Sequence, residues 1–437
     1  MKSLTRFSWP ILVELLLSFS VNMLLFSLLG QIADEASGAV GSVNSLFGLF
    51  QMMFLGLSQA GGIVIAKLAG GGNDGQAARL RGTLLGIFLV AIAAVLFLVA
   101  NGREFFIEAI LGLKDETGSF AYSFCTVAQW TLASNALGQF FTAVFRSAGN
   151  SLVPLLVALA NHSMCFLALW LLPADFVGLE LSGVQRIAVS QLTGSLTALI
   201  AASGAFVFWL KLPIRLPDKQ TSATLEIWPV LALSGLVVLE PFAYSLAQVF
   251  ISRMFAELGP VALAARAYVG TLSAIPSLFG IAIGWGAQVQ VSFFAGAGKN
   301  DEARRMVLRS CLTTVIVGPS GAALVYLFSD YLLRLFTLET AVIGAAKTLL
   351  AVYILLEAGR SMNTTLAPSL KARGDARFVA QTSFVIMLFI CVPLAWLLSF
   401  KLGYGIAGLA VALAADELLR GILNLSRWCL NEPARSL

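Results

Sequence analysis

LLGIFLVAIAAVLFLVA, residues 84–100, decides the fold class. The run carries no charge, no amide and no proline, and polar residues never alternate with apolar ones. A strand of a membrane β-barrel crosses in about ten residues with a period-two polarity pattern. Nothing here has that period. At about 1.5 Å of rise per residue the run fits a helix crossing a hydrocarbon core about 30 Å thick.

Similar runs recur through all 437 residues, of which 58% are hydrophobic and 12% charged, with a mean hydropathy of +0.88. A soluble core cannot hide that much apolar surface, so lipid must solvate it. The runs predict spans at 9–33, 39–69, 82–101, 118–143, 151–172, 182–210, 226–254, 260–296, 307–329, 342–368, 378–400 and 402–428. The first follows Lys2 and Arg6 but is too long for a signal peptide and lacks a small-residue cleavage site, so it reads as a retained helix. The expectation is an all-α polytopic membrane protein of twelve transmembrane helices.

Positive loops resist translocation, so Lys and Arg set the orientation. With the N-terminus inside, cytoplasmic segments hold 18 of the 28 basic residues, the opposite side holds seven, and Arg266, Arg360 and Arg420 fall within helices. Both termini are therefore expected in the cytoplasm and the chain in the inner (plasma) membrane. The net charge of +5 follows from this topology, and without a basic soluble domain no nucleic-acid partner is expected. The five cysteines form no CxxC pair and read as small packing residues. His162, the single histidine, cannot build a metal site and reads as a packing or hydrogen-bonding residue. With no HExxH and no GxSxG, an intramembrane enzyme is not expected.

The chain also repeats itself at about half its length. Trp9-Pro10 opens the first predicted span and Trp228-Pro229 the seventh, an offset of 219, with proline at a first turn where its missing N–H is harmless. AGGGNDGQAA (69–78) after the second span matches AGAGKNDEAR (295–304) after the eighth, an offset of 226. FRSAGN (145–150) after the fourth matches LKARGD (370–375) after the tenth, an offset of 225, each with a basic residue three before a helix-ending glycine. Six spans per repeat give both halves the same orientation, a parallel repeat of the kind transporters use, with sites where repeats meet. The predicted division is a six-helix lobe at 1–210, a polar, proline-containing cytoplasmic linker at 211–223 and a second six-helix lobe at 224–437.

These duplicated loops resemble those of the multidrug and toxic compound extrusion (MATE) family. The similarity covers nearly the whole chain and is densest in GLSQAGGIVIAKLAGGGNDGQAA (56–78), ALAARAYVGTLSAIPSLFGIAIGWGAQVQVSFFAGAGKNDEA (262–303) and LLEAGRSMNTTLAPSLKARGDARF (355–378). The resemblance implies a V-shaped pair of six-helix lobes, a central cavity open alternately to either side, and export driven by H⁺ or Na⁺. Many members carry an aspartate midway along the first helix; this chain reads NMLLFSLL (22–29) there and has none.

Charged side chains at mid-membrane cost about 2.5–3.5 kcal/mol each and so mark cavities or partners. Glu240, midway along the predicted seventh span, precedes Pro241, which frees a backbone carbonyl one turn earlier. It is a candidate for binding the coupling ion or substrate, against a buried structural pair. Glu14 is a second candidate, against an interfacial pairing with Lys2 or Arg6. Glu357 with Arg360, and Asp416 with Arg420, share helix faces at spacings of three and four. With Glu417 they form either a brace or a proton or Na⁺ site. Arg266 is expected to be held by Glu257 or by an acceptor on another helix. Asn22, Asn44, Gln51, Gln129, Asn135, Gln139, Gln248, Gln288 and Asn363 are candidates to line a wet cavity, with Asn22, Gln248, Gln288 and Asn363 foremost, against ordinary interhelical hydrogen bonds.

The expected function is secondary active efflux: antiport of a small organic, cationic drug-like or metabolite substrate against H⁺ or Na⁺ by alternating access, with no cofactor and no metal beyond Na⁺. The expected state is a monomer whose partners are the small-molecule substrate and membrane lipid. The alternative is a flippase of a lipid-linked or anionic precursor, which would need a basic cavity.

Overall fold

The computed structural model describes residues 4–30, 34–171, 183–213 and 223–430, and among them every regular element is helical. The first half comprises α1 (Leu4–Gly30), α2 (Asp34–Gly70), α3 (Asp74–Glu104), α4 (Asp115–Ser147), α5 (Leu152–Leu171) and α6 (Gly183–Gly204). The second comprises α7 (Ala223–Glu257), α8 (Pro260–Gly296), α9 (Asn300–Leu327), α10 (Ser329–Arg334), α11 (Thr340–Arg373), α12 (Ala376–Val385), α13 (Val392–Trp396) and α14 (Gly405–Leu430). α12 and α13 are joined by a π turn and read as one apolar crossing, Ala376–Lys401. α10 is a single short helix that the hydropathy pattern does not announce.

Among the described residues ten helices are long and apolar enough to cross a membrane by length and composition. The remaining two predicted spans are α4, with 33 residues, and α14, with 26. Both have the length to cross, but their polar side chains dilute the apolar signal. The chain is a multi-pass membrane protein. Helix ends overrun several predicted spans because hydropathy marks the hydrocarbon layer and not the end of the backbone hydrogen bonds. α3, for instance, begins at Asp74 and carries Arg79 and Arg81 before residue 82. Residues 31–33 of the first predicted span lie outside the described residues, as do residues 214–222 of the predicted linker.

The two Trp-Pro pairs do not open their helices. Pro10 is inside α1, which starts at Leu4, and Pro229 is inside α7, which starts at Ala223. In α1 the carbonyl left without its usual donor is that of Arg6, an exposed residue near the helix start, where an unpaired carbonyl costs little.

The chain forms two compact units: Val13–Ala69 with Asn73–Ser234, and Gly235–Leu437 with Lys2–Leu12 and Gly70–Gly72. The first is filled by aromatic packing, with Phe54, Phe88 and Phe140 in a row of ring contacts 5.8 Å apart. In the second, α11 packs against α8, α9 and α14. Glycine permits the closest of these approaches: a Cβ on Gly359 of α11 would strike the backbone of Glu417 and Leu418 on α14.

The repeat is visible in local geometry. Gly72 and Gly298 take φ of 76° and 71°, followed by Asn73 at φ −91°, ψ 54° and Lys299 at φ −93°, ψ 54°. Gly149 and Gly374, which end α4 and α11, take φ of 78° and 109°. Positive φ at these turns is what glycine tolerates and other residues resist.

Candidate functional site

Polar residues on five helices of the first unit surround a cavity of 760 Å³. Asn22 comes from α1, Asn44 and Gln51 from α2, Asn135 and Gln139 from α4, Asn161 from α5 and Gln191 from α6. Gln139 donates to the Gln51 side-chain oxygen at 2.5 Å, and Gln51 donates to the Leu132 carbonyl at 3.3 Å. Two lining groups are buried without a hydrogen-bond partner among the described residues, the Thr131 hydroxyl and the Gln139 side-chain oxygen. His162 lines the same cavity and shares a 3.2 Å hydrogen bond with Ser18. The histidine thus combines hydrogen bonding with a place in the cavity wall, which sequence spacing does not reveal.

Glu14 is the one carboxylate in the described lining, and it is tied. Arg146 Nη2 donates to its Oε2 at 2.9 Å, both side chains being mostly buried. Of the two bases expected beside it, Lys2 lies outside the described residues; the described partner, in place of Arg6, is a base near the end of α4. In the second unit Lys371 Nζ lies 2.5 Å from Glu240 Oε2, with the lysine side chain 6% exposed and the glutamate 18%. The two pairs are equivalent in the repeat. Glu14 and Glu240 are 226 residues apart, and Arg146 and Lys371 are 225 apart, each base standing three before its helix-ending glycine.

Glu240 stands midway along α7 (Ala223–Glu257), as the sequence places it, and its charge is met by a base on another helix. It packs beside the last turn of α11, where Lys371 sits. Lys371, assigned to a loop by its charge, is a buried helical residue.

The second unit also holds a continuous buried ion network. Arg360 Nη1 lies 3.3 Å from Glu357 Oε2 and 2.9 Å from Ser277 Oγ, and Arg360 Nε lies 3.7 Å from Glu417 Oε1. Arg420 grips Asp416 with two hydrogen bonds, at 3.1 and 2.7 Å, and reaches Glu417 Oε2 at 3.0 Å. Asn363 donates to Glu417 Oε2 at 2.7 Å and to its backbone oxygen at 2.8 Å, and Asn424 donates to Asn363 at 3.0 Å. The spacings read from sequence, Glu357 with Arg360 and Asp416 with Arg420, hold; Glu417 joins the two pairs across α11 and α14. Three carboxylates share two guanidiniums in this network, leaving one negative charge over. Asp416 and Glu417 are firmly held. Glu357 has no contact shorter than 3.3 Å, to Arg360 and to the Ser277 hydroxyl, and is only 2% exposed.

Of the nine cavity candidates, Asn22, Asn44, Gln51, Asn135 and Gln139 line the cavity, and of the foremost four Asn22 alone does. Gln248 instead accepts a 2.7 Å hydrogen bond from Arg266, whose other nitrogen donates to Ser252 at 2.5 Å and whose guanidinium lies over Phe255 at 5.1 Å. Arg266 is thus held by acceptors on another helix, the second of the two expected partners, while Glu257 pairs with Arg253 on its own helix at 3.0 Å. Asn363 belongs to the ion network, and Gln288 is buried in α8 with its amide nitrogen unpartnered among the described residues. Asn363 fits the alternative reading, an interhelical hydrogen-bonding residue.

The MatE family model matches residues 10–169 and 237–397. The uncharacterised transporter YisQ of Bacillus subtilis is 27% identical over 98% of this chain and 93% of its own length. The probable multidrug resistance protein NorM of Thermotoga maritima is 22% identical over 97% of this chain and 91% of its own. Among solved structures, the Vibrio cholerae MATE transporter VcmN in its bent form superposes with a TM-score of 0.88 at 18% identity, covering 97% of this chain and 95% of that one. A Pyrococcus furiosus MOP-superfamily transporter, described as having a binding pocket of reverse polarity, superposes at 0.87 with 14% identity over 97% and 94%. At these identities the structural matches speak for the fold.

Proposed function

The chain belongs to the MatE family, the multidrug and toxic compound extrusion transporters, and from that premise we propose that it is a secondary active exporter that moves small organic molecules out against H⁺ or Na⁺ by alternating access. It works as a monomer in the inner (plasma) membrane with both termini in the cytoplasm, and its only accessory is the coupling ion. The observation that carries the coupling is the surplus carboxylate of the second unit. In a low-dielectric interior an uncompensated carboxylate either takes up a proton or holds a cation, because the bare charge is costly. Glu357 is the member that does this, since its nearest partners stand at 3.3 Å whereas Asp416 and Glu417 each have one at 2.7 Å. Asp416, Glu417 and Arg420 fix its surroundings, and the Glu240–Lys371 and Glu14–Arg146 pairs brace the helices.

Substrate is assigned to the 760 Å³ cavity of the first unit, a volume within the roughly 300–1,000 Å³ usual for small-molecule sites. A flippase for an anionic precursor is the weaker reading, because no lysine or arginine is among the described lining residues.

The test is transport in proteoliposomes, with ethidium, tetraphenylphosphonium, uridine and methyl β-glucoside offered under an imposed H⁺ or Na⁺ gradient. One of these should accumulate uphill with one gradient and not the other, and Glu357→Gln should abolish the dependence. Movement of every probe down its own gradient alone, or no movement by folded protein, overturns the reading.

A further inference from the structure

The expected cationic substrate needs a carboxylate that is free to meet it. The first unit's cavity has none: Glu14, its one described carboxylate, is bound to Arg146 at 2.9 Å. Nor does it offer ring faces for a cation. The phenyl rings in its described lining are Phe47 and Phe124, which are 6% and 1% exposed, and a cation–π contact needs an open face of Trp, Tyr or Phe.

What the cavity has in abundance is carboxamide. Asn22, Asn44 and Asn135 stand open to it, and among the described residues their side chains make no hydrogen bond. The Gln139 side-chain oxygen and the Thr131 hydroxyl are buried and unpartnered. A carboxamide presents a donor and an acceptor side by side, the arrangement that adjacent hydroxyl groups of a polyol match with their own donor and acceptor. An apolar cation entering here would leave these groups unpaired, and a site built to hydrogen-bond rejects ligands that cannot reciprocate.

The repeat supplies an independent line of support. The offset of 225 that relates Arg146 to Lys371 sets Asn135 opposite Arg360 and Leu132 opposite Glu357; the offset of 226 that relates Gly72 to Gly298 sets Gln51 opposite Ser277. In the second unit those three residues form the charged corner Glu357–Arg360–Ser277. In the first, the matching corner is neutral, and its three residues all line the cavity.

We infer that the cavity selects neutral, polyhydroxylated organic molecules, such as nucleosides and glycosides, over lipophilic cations. The inference rests on the proposal that this cavity holds the substrate, and it is tested without ion gradients, so loss of antiport and loss of selectivity are separable results. The full chain in detergent is titrated with uridine, adenosine and methyl β-glucoside, and with ethidium and tetraphenylphosphonium, using thermal stabilisation and equilibrium dialysis. At least one neutral probe should bind about tenfold or more tightly than either cation, and Gln139→Leu should weaken it about tenfold. Asn135→Asp places an unpaired carboxylate in the same wall with little change of shape, and should raise tetraphenylphosphonium affinity about tenfold or more. Tighter binding of a cation than of every neutral probe by the native chain overturns the inference. So does failure of all neutral probes to bind folded protein, or an Asn135→Asp variant that gains nothing for the cation.

Discussion

Replacing Glu240 with glutamine isolates the worth of the buried pair in the second unit. Gln keeps the volume and an oxygen acceptor, so the change removes charge and little else. Lys371 would be left as an ammonium only 6% exposed, its 2.5 Å partner neutral. Breaking one side of a buried pair costs about 3–5 kcal/mol, chiefly because the surviving charge is stranded, whereas replacing both sides with apolar residues is often neutral. Glu240→Gln should therefore lower stability by about 3–5 kcal/mol, and Lys371→Met should fall at the lower end, since Glu240 is 18% exposed and better hydrated when alone. The double variant Glu240→Met/Lys371→Met should lie within about 1 kcal/mol of the native chain.

The assay is equilibrium unfolding of purified protein in micelles, run as a double-mutant cycle on the second unit's signal. Two results would refute the reasoning. If each single variant cost under about 1 kcal/mol, the pair would behave as a solvated surface bridge. If the double cost the sum of the singles, the two residues would not be energetically linked.

Two further changes test packing and charge elsewhere. Gly359→Ala puts a methyl group into the backbone of Glu417 and Leu418 and should cost about 1–3 kcal/mol, while Gly344→Ala, on the same helix with open space around it, should be neutral or slightly stabilising in the same unfolding assay. Arg146→Met releases Glu14 into the cavity, so dialysis should show tetraphenylphosphonium binding rise about tenfold over the native chain; unchanged binding would mean that Glu14 does not govern the cavity's charge.

The spans and the repeat were legible because each rests on local signals. An apolar run such as residues 84–100 reports its environment without reference to any other helix, and Gly149 and Gly374 report a positive φ that only a turn requires. The pairs Glu357–Arg360 and Asp416–Arg420 were legible for the same reason, since spacings of three and four place partners on one helix face. Partners on different helices were not. Lys371 looks like a loop cation in a charge count, and Gln248 looks like cavity lining until Arg266 is seen bonded to it. The cavity amides are separated along the chain by whole helices, so their convergence is a property of packing and has no window in the sequence.

One signal that reaches across helices was nevertheless present in the chain. An offset near 226 links not only loops but charges: Glu14 to Glu240, and Arg146 to Lys371. A duplicated acid and a duplicated base, each at the same register, imply that whatever contact exists in one half exists in the other, and both contacts are present at 2.9 and 2.5 Å. The same register then shows where the halves diverge. Opposite the Arg360 and Glu357 of the second unit the first has Asn135 and Leu132, so a common scaffold carries an ionic centre in one copy and a neutral, amide-lined cavity in the other. A site that must hold a proton or Na⁺ needs a surplus charge, and a site for polar neutral molecules must avoid one. Divergence after duplication lets one chain meet both demands, which is the division of labour that the proposed antiport requires.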